Sequence, residues 1–213
     1  MRALGRWALW TLVGTGVVVG SLRAVALRWW KVPEGDPWLE ASVAPTLRGG
    51  DWILAWRLTD PGLGSLVLCP EPKHTERLTV GRLIGDAGDT VRVEGSRIVV
   101  NGRNFRSEGS CPNDTFKVDA PQGQKDVEQR CSTEVAHGLV HLRGEAEETA
   151  ELTVYEQEVA NGESLLISDN RRYPYDSRDY GPIVRATCKE TVVFRLFGKG
   201  GFFDAKTRFQ YIR

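Results

Sequence analysis

The hydrophobic pattern changes character twice along the chain. Over residues 7–22 nearly every position is apolar, and beyond Arg23 the run continues through Ala24, Val25, Ala26 and Leu27. At 1.5 Å per residue, about 21 residues of helix reach across the roughly 30 Å of a bilayer's hydrocarbon core. No polar face interrupts the run, so an amphipathic core helix is a poor fit. Arg23 stands near the far end, where a long basic side chain can reach the headgroups. Trp29-Trp30-Lys31 then reads as an interfacial flank. The expectation is an uncleaved transmembrane anchor over 7–27 behind a short cytoplasmic N-terminus, 1–6. The competing reading is a cleavable leader with Ala24-Val25-Ala26 as its small-x-small site, against which Arg23 and the Trp flank argue. Charge does not set the orientation, because Arg2 and Arg6 are opposed by Arg23, Arg28 and Lys31.

From Trp52 onward the pattern is that of strands. Residues 52–58, 66–69, 78–84, 90–93, 97–100, 164–167 and 191–197 are apolar or alternating runs, bounded by Gly, Asp, Asn and Pro. Pro70 and Pro72 are expected to stop the second run, and Glu94-Gly95-Ser96 to turn a hairpin. Residues 103–150 are more polar, richer in turn residues and less periodic, which predicts a subdomain inserted into a β domain spanning 31–213. Cys111 and Cys131 bracket part of it, as a bridge in an oxidising compartment or as two free thiols. The acidic stretch 145–158 reads as a solvated face. The fold class expected is mainly β, with one helix in front.

Composition narrows the functional classes. Lys plus Arg and Asp plus Glu are both 28, a formal net charge of zero. A protein that binds nucleic acid by neutralising phosphates should be basic, so no nucleic-acid partner is expected. All seven Trp fall within the first 56 residues, the part expected to meet lipid. Nothing in the sequence calls for a metal or an organic cofactor.

Three segments carry the candidate chemistry. The first is Ser42-Val43-Ala44-Pro45-Thr46-Leu47, followed by Gly50-Asp51. The second is Gly81-Arg82-Leu83-Ile84-Gly85-Asp86-Ala87-Gly88-Asp89. The third is Ser168-Asp169-Asn170-Arg171, followed by Asp176-Ser177-Arg178 and Gly181. Each is weak alone, but their order and spacing behind one N-terminal apolar segment are more specific. In this arrangement the chain resembles the type I signal peptidases, membrane-anchored serine peptidases that use a Ser–Lys pair. The resemblance implies a signal-peptidase-type β-sheet fold with a variable insertion between the second and third segments, where 103–150 lies. It also implies a single-pass protein of the bacterial inner (plasma) membrane with its C-terminal domain on the outer, periplasmic side. Its partners would be membrane lipid and the signal peptides of exported preproteins.

The departures from that family's pattern matter as much as the matches. The family nucleophile falls on Ser42. The general-base Lys falls on Gly81, while its neighbouring Arg is kept as Arg82. The Ser that helps the oxyanion hole falls on Glu40, and the Ser that orients the Lys falls on Pro174. A Ser hydroxyl is a poor nucleophile until a base takes its proton, and a guanidinium stays protonated, so Arg82 cannot replace the Lys. Lys73 and His74 would lie more than about 20 Å from Gly81 along a straight strand, and reach Ser42 only if their loop folds back. His137 and His141, in the insertion, read as surface or packing residues. Arg82, Asp169, Asn170, Arg171, Asp176, Ser177 and Arg178 are expected to brace the core through charge-assisted bonds. Two functions follow. One is a relative with lost or weak catalysis that binds signal peptides or other extended apolar segments, or assists an active paralogous signal peptidase. The other is an active serine endopeptidase that uses Ser42 with a non-standard base.

Overall fold

The computed structural model describes residues 2–146 and 154–212. Helix α1 (Arg2–Val25) has 24 residues, about 36 Å at 1.5 Å per residue. From Trp10 to Val25 its residues are exposed on every side, with Leu12, Val17, Val18 and Val25 among the exposed apolar side chains. Among the described residues no helix is long and apolar enough to cross a membrane. The helix also stops two residues short of the expected apolar run. Leu27 opens strand β1 (Leu27–Lys31), so Trp29 and Trp30 belong to a sheet and not to a helical flank. Large aromatics fit a half-buried pleated surface, and Trp30 packs on the core while the Arg23 guanidinium covers the Trp29 ring at 4.9 Å.

Asp36 caps the short helix α2 (Pro37–Ser42) by accepting from Leu39 N–H, with Pro37 at its first position. Strands then follow as β2 (Trp52–Trp56), β3 (Leu66–Glu71), β4 (His74–Asp86), β5 (Thr90–Glu94), β6 (Arg97–Val100) and β7 (Arg103–Asn104). The insertion supplies β8 (Arg106–Val118), β9 (Val127–Ala136) and β10 (Leu139–Gly144). After residues 147–153 come β11 (Val154–Glu158), β12 (Glu163–Ile167), helix α3 (Ser177–Tyr180), β13 (Ile183–Val184), β14 (Glu190–Phe197) and β15 (Gln210–Tyr211).

The main sheet runs β1-β2-β14-β3-β4-β12-β13, with β15 on β14. A second sheet, β11-β5-β6-β7, continues from β4, and the insertion forms a third, β10-β9-β8. One core of Val32, Leu39, Leu47, Ile53, Leu68 and Val80 fixes α2 against the main sheet.

Two local expectations fail for physical reasons. Strand β3 runs through Pro70, because β14 pairs with β3 only at Val67 and Leu68. Beyond those residues that side of β3 is an edge, where a missing N–H costs nothing. The insertion is mostly strand rather than turns, since β8 and β9 pair on both sides of an out-of-register stretch at residues 111–114, where a disulfide joins Cys111 to Cys131 with Cα atoms 5.6 Å apart. A second disulfide, Cys69–Cys188, lies in the core between β3 and the segment before β14. The acidic stretch 145–158 lies partly outside the described residues; Glu145, at its start, is ion-paired to Arg143 rather than simply solvated.

Candidate functional site

The fold brings the three segments together around one buried turn. Asp169 holds the first two. Its carboxylate accepts from Arg82 Nε at 2.8 Å and Arg82 Nη2 at 3.2 Å, and from the Thr46 hydroxyl. Both partners of the ion pair are fully buried. Burial alone would raise the Asp169 carboxyl, yet the Arg82 charge, with His141 and the hydrogen bonds, holds it below the ordinary range. Asn170, next in the chain, donates its N–H to Ser42 O at 3.0 Å and its side-chain amide to Ala41 O at 2.8 Å. Those carbonyls close α2, where the last carbonyls of a helix have no partner within it. The end of α2 is further packed by Val118 and Phe116 of the insertion.

The rest of the third segment is bracing. Arg171 donates to Glu134 Oε2 at 2.6 Å and to Ser168 O. Asp176 caps α3 in a reciprocal box with Asp179, takes two bonds from the Arg178 guanidinium and one from its N–H, and accepts from Ser168 N–H. Ser177 Oγ accepts from Leu166 N–H at 2.9 Å. Asp51 accepts from Arg195 at 3.0 Å and from Arg48 N–H, and burial raises its carboxyl despite both.

The groups expected to carry chemistry stand differently. Ser42 is fully buried, and its hydroxyl donates to Leu39 O, 3.0 Å away on the same helix. No Lys or His among the described residues hydrogen-bonds it. Gly81 sits in mid-β4 opposite Val67. A Cβ built there would lie 3.1 Å from Leu166 Cβ on β12, a tight contact that a few tenths of an ångström of movement would relieve. The Glu40 carboxylate is turned to the loops on either side of α2. It accepts from Gly35 N–H at 2.6 Å and lies over Gly49, whose missing Cβ leaves room for the carboxylate. Pro174 is half-buried and, lacking a side-chain donor, can orient no amine. Lys73 Nζ makes no hydrogen bond to Ser42 and donates to Asp179 O at 3.0 Å; His74 is exposed beside Glu76. His137 is exposed, with its Nε2 2.8 Å from Ile84 O.

His141, expected at the surface or in simple packing, is buried among charges. Its Nε2 lies 3.4 Å from Glu134 Oε2 and 3.9 Å from Asp169 Oδ1, and neither ring nitrogen makes a hydrogen bond of good geometry. Glu134 is ion-paired to Arg171 and Arg143. Burial would raise it, but those two guanidinium groups and His141 bring it down to about 2. Gln129 completes the seam through a paired amide contact with Asn170. Sequence reading missed Gln129, Glu134, His141 and Arg143. A hairpin centred on His137-Gly138 sets Glu134 opposite His141, and that register was the available signal.

The family model for signal peptidases, peptidase S26, matches residues 5–197. The chain belongs to that family. No curated protein matches it significantly. The match spans all three segments and residues 103–150 between the second and third.

Proposed function

We propose that this member of the signal peptidase family binds signal peptides and other extended apolar segments, with catalysis lost or weak. The observation that carries the reading is the state of Ser42. Its hydroxyl is buried and spent on Leu39 O, and the position expected to hold the base is Gly81, which has no side chain and where a Cβ would meet Leu166 tightly, at 3.1 Å. A general base typically contributes about 10²–10⁴-fold, and an unactivated Ser supplies none of it.

Binding needs no base. The half of β4 from His74 to Val80 pairs with β3 on one side, while its pairing to β12 begins at Arg82. An extended segment added to a strand edge gains main-chain hydrogen bonds, with specificity from alternate side chains. The exposed apolar α1 would tether the domain to the bacterial inner membrane and hold it at the outer face, where exported preproteins emerge. An active paralogous signal peptidase would take over whatever is captured.

The test uses the full chain in lipid vesicles with a preprotein carrying an apolar signal segment. The expected result is saturable binding, weakened when the segment's apolar core is made polar, and equal for wild type and Ser42→Ala. Binding indifferent to the apolar core would overturn the reading. Processing of the preprotein that disappears in Ser42→Ala would establish the other reading, an active serine endopeptidase with a non-standard base.

A further inference from the structure

We propose that His141 is an acid-sensitive latch between the inserted sheet and the turn that holds Ser42. The geometry is a seam. Gly144, at the end of β10, donates its N–H to Asp169 O at 2.9 Å, and Arg171 N–H returns to Gly144 O at 2.9 Å. Between these two bonds sits Asn170, which holds the Ser42 and Ala41 carbonyls. His141 lies three residues before Gly144 on the same strand and packs directly behind this seam.

Its surroundings determine what a proton does there. Arg82 faces it from β4, Asp169 from the turn after β12, and Glu134 from β9. Arg171 and Arg143 reach it only through Glu134, which both of them neutralise. Arg195 of β14, paired to Asp51, and Tyr211 of β15 complete the wall of a cavity of about 230 Å³ that His141 borders. That cavity gives water and protons a way in. Each carboxylate facing the ring already has an arginine, so a buried imidazolium would have to share Glu134 and Asp169 with those guanidinium groups. Neither ring nitrogen has a well-formed acceptor ready to receive a second N–H.

The direction of the effect follows from linkage. Burial first, and the Arg82 charge second, lower the imidazole from 6.5, against the pull of Glu134 and Asp169. A group lowered in the closed state favours closure fully above its open-state value. That preference is lost as pH falls from 6.5 toward the lowered value. Acid therefore opens the seam at Gly144, Asn170 and Arg171 and frees the end of α2. The Cys111–Cys131 bridge keeps β8 and β9 together meanwhile.

The experiment is amide hydrogen exchange on the full chain in detergent micelles, between about pH 7 and about pH 5, with rates corrected for intrinsic chemistry. Protection at Gly144, Asn170 and Arg171 should fall, with a ceiling near thirtyfold at about pH 5, while Leu165 and Val67 in the main sheet change little. In His141→Gln, which cannot charge, the fall should vanish. The ring's own NMR titration, which needs no variant, should have its midpoint below 6.5. Flat protection in the wild type, an unchanged fall in His141→Gln, or a ring midpoint at or above 6.5 would each overturn the proposal. Should His141→Gln fail to fold, the wild-type exchange and the ring titration decide alone.

Discussion

Asn170 and Ser42 are joined backbone to backbone. The Asn170 N–H donates to the Ser42 carbonyl at 3.0 Å, while the Asn170 side chain serves the carbonyl of Ala41 beside it. The third segment thus grips the first through main-chain oxygens and leaves the Ser42 hydroxyl to its own helix. Asn170 also pairs with Gln129 and receives the N–H groups of Arg172 and Tyr173. Asn170→Ala should therefore cost about 2–4 kcal/mol, since several buried partners lose a hydrogen bond at about 1–3 kcal/mol for each group left unsatisfied. Denaturant unfolding of the variant against wild type measures it.

The Arg82–Asp169 pair is fully buried, and breaking it from one side leaves a charge behind. Arg82→Met should destabilise by about 3–5 kcal/mol. Removing both charges together, with Asp169→Asn added, should cost less than the sum of the single changes, because each single change strands the other partner. A double-mutant cycle by thermal or chemical unfolding reads the difference. Additivity would show that the two groups do not act as a pair.

Restoring the base alone should rescue little. In Gly81→Lys the new Cβ starts 3.1 Å from Leu166 Cβ, so β12 must give way, and Pro174 offers no hydroxyl to orient the amine. Gly81→Lys with Pro174→Ser should gain more cleavage of a test preprotein than Gly81→Lys alone. Adding Glu40→Ser should change little further, because the Glu40 carboxylate is engaged at Gly35 and not at the end of α2. A large gain from the Glu40 change would show that this carboxylate swings toward the site.

Acid should reveal Glu134. Its carboxyl is held near 2 in the folded protein against an ordinary 4.5. A lowered carboxylate contributes its stability above the unfolded value and loses it as pH falls through the folded one. The window is thus from about 4.5 down to about 2, and the contribution lost is on the order of 3 kcal/mol. Glu134→Gln should be less stable than wild type near neutrality and should have a flatter acid limb. Unfolding free energies across that pH range test both.

Much of the strand content was legible from local pattern. The hairpin at Glu94-Gly95-Ser96 and the runs at β12 and β14 follow from alternation and turn residues alone. The insertion was not legible, because β8 is exposed along most of its length and shows no apolar period to read. The end of α1 was misplaced because Trp29 and Trp30 suit an interface and a pleated strand equally well. At the site, the meeting of Thr46, Arg82 and Asp169 depends on residues up to 123 positions apart, which spacing does not reveal without a family pattern. The direction of the Glu40 side chain and the burial of His141 depend on close packing, Glu40 over Gly49 and His141 between two sheets, and neither leaves a mark in one sequence.

The most direct test of the account is turnover by Ser42 itself. Purified full-length protein in lipid is mixed in excess with a preprotein whose signal segment ends in small residues, and the mature fragment is followed over hours beside Ser42→Ala. The account predicts traces that superimpose, with cleavage at the uncatalysed background in both. Cleavage by the wild type that Ser42→Ala abolishes would contradict it and would mean that the hydroxyl leaves Leu39 O to meet a base when substrate is bound.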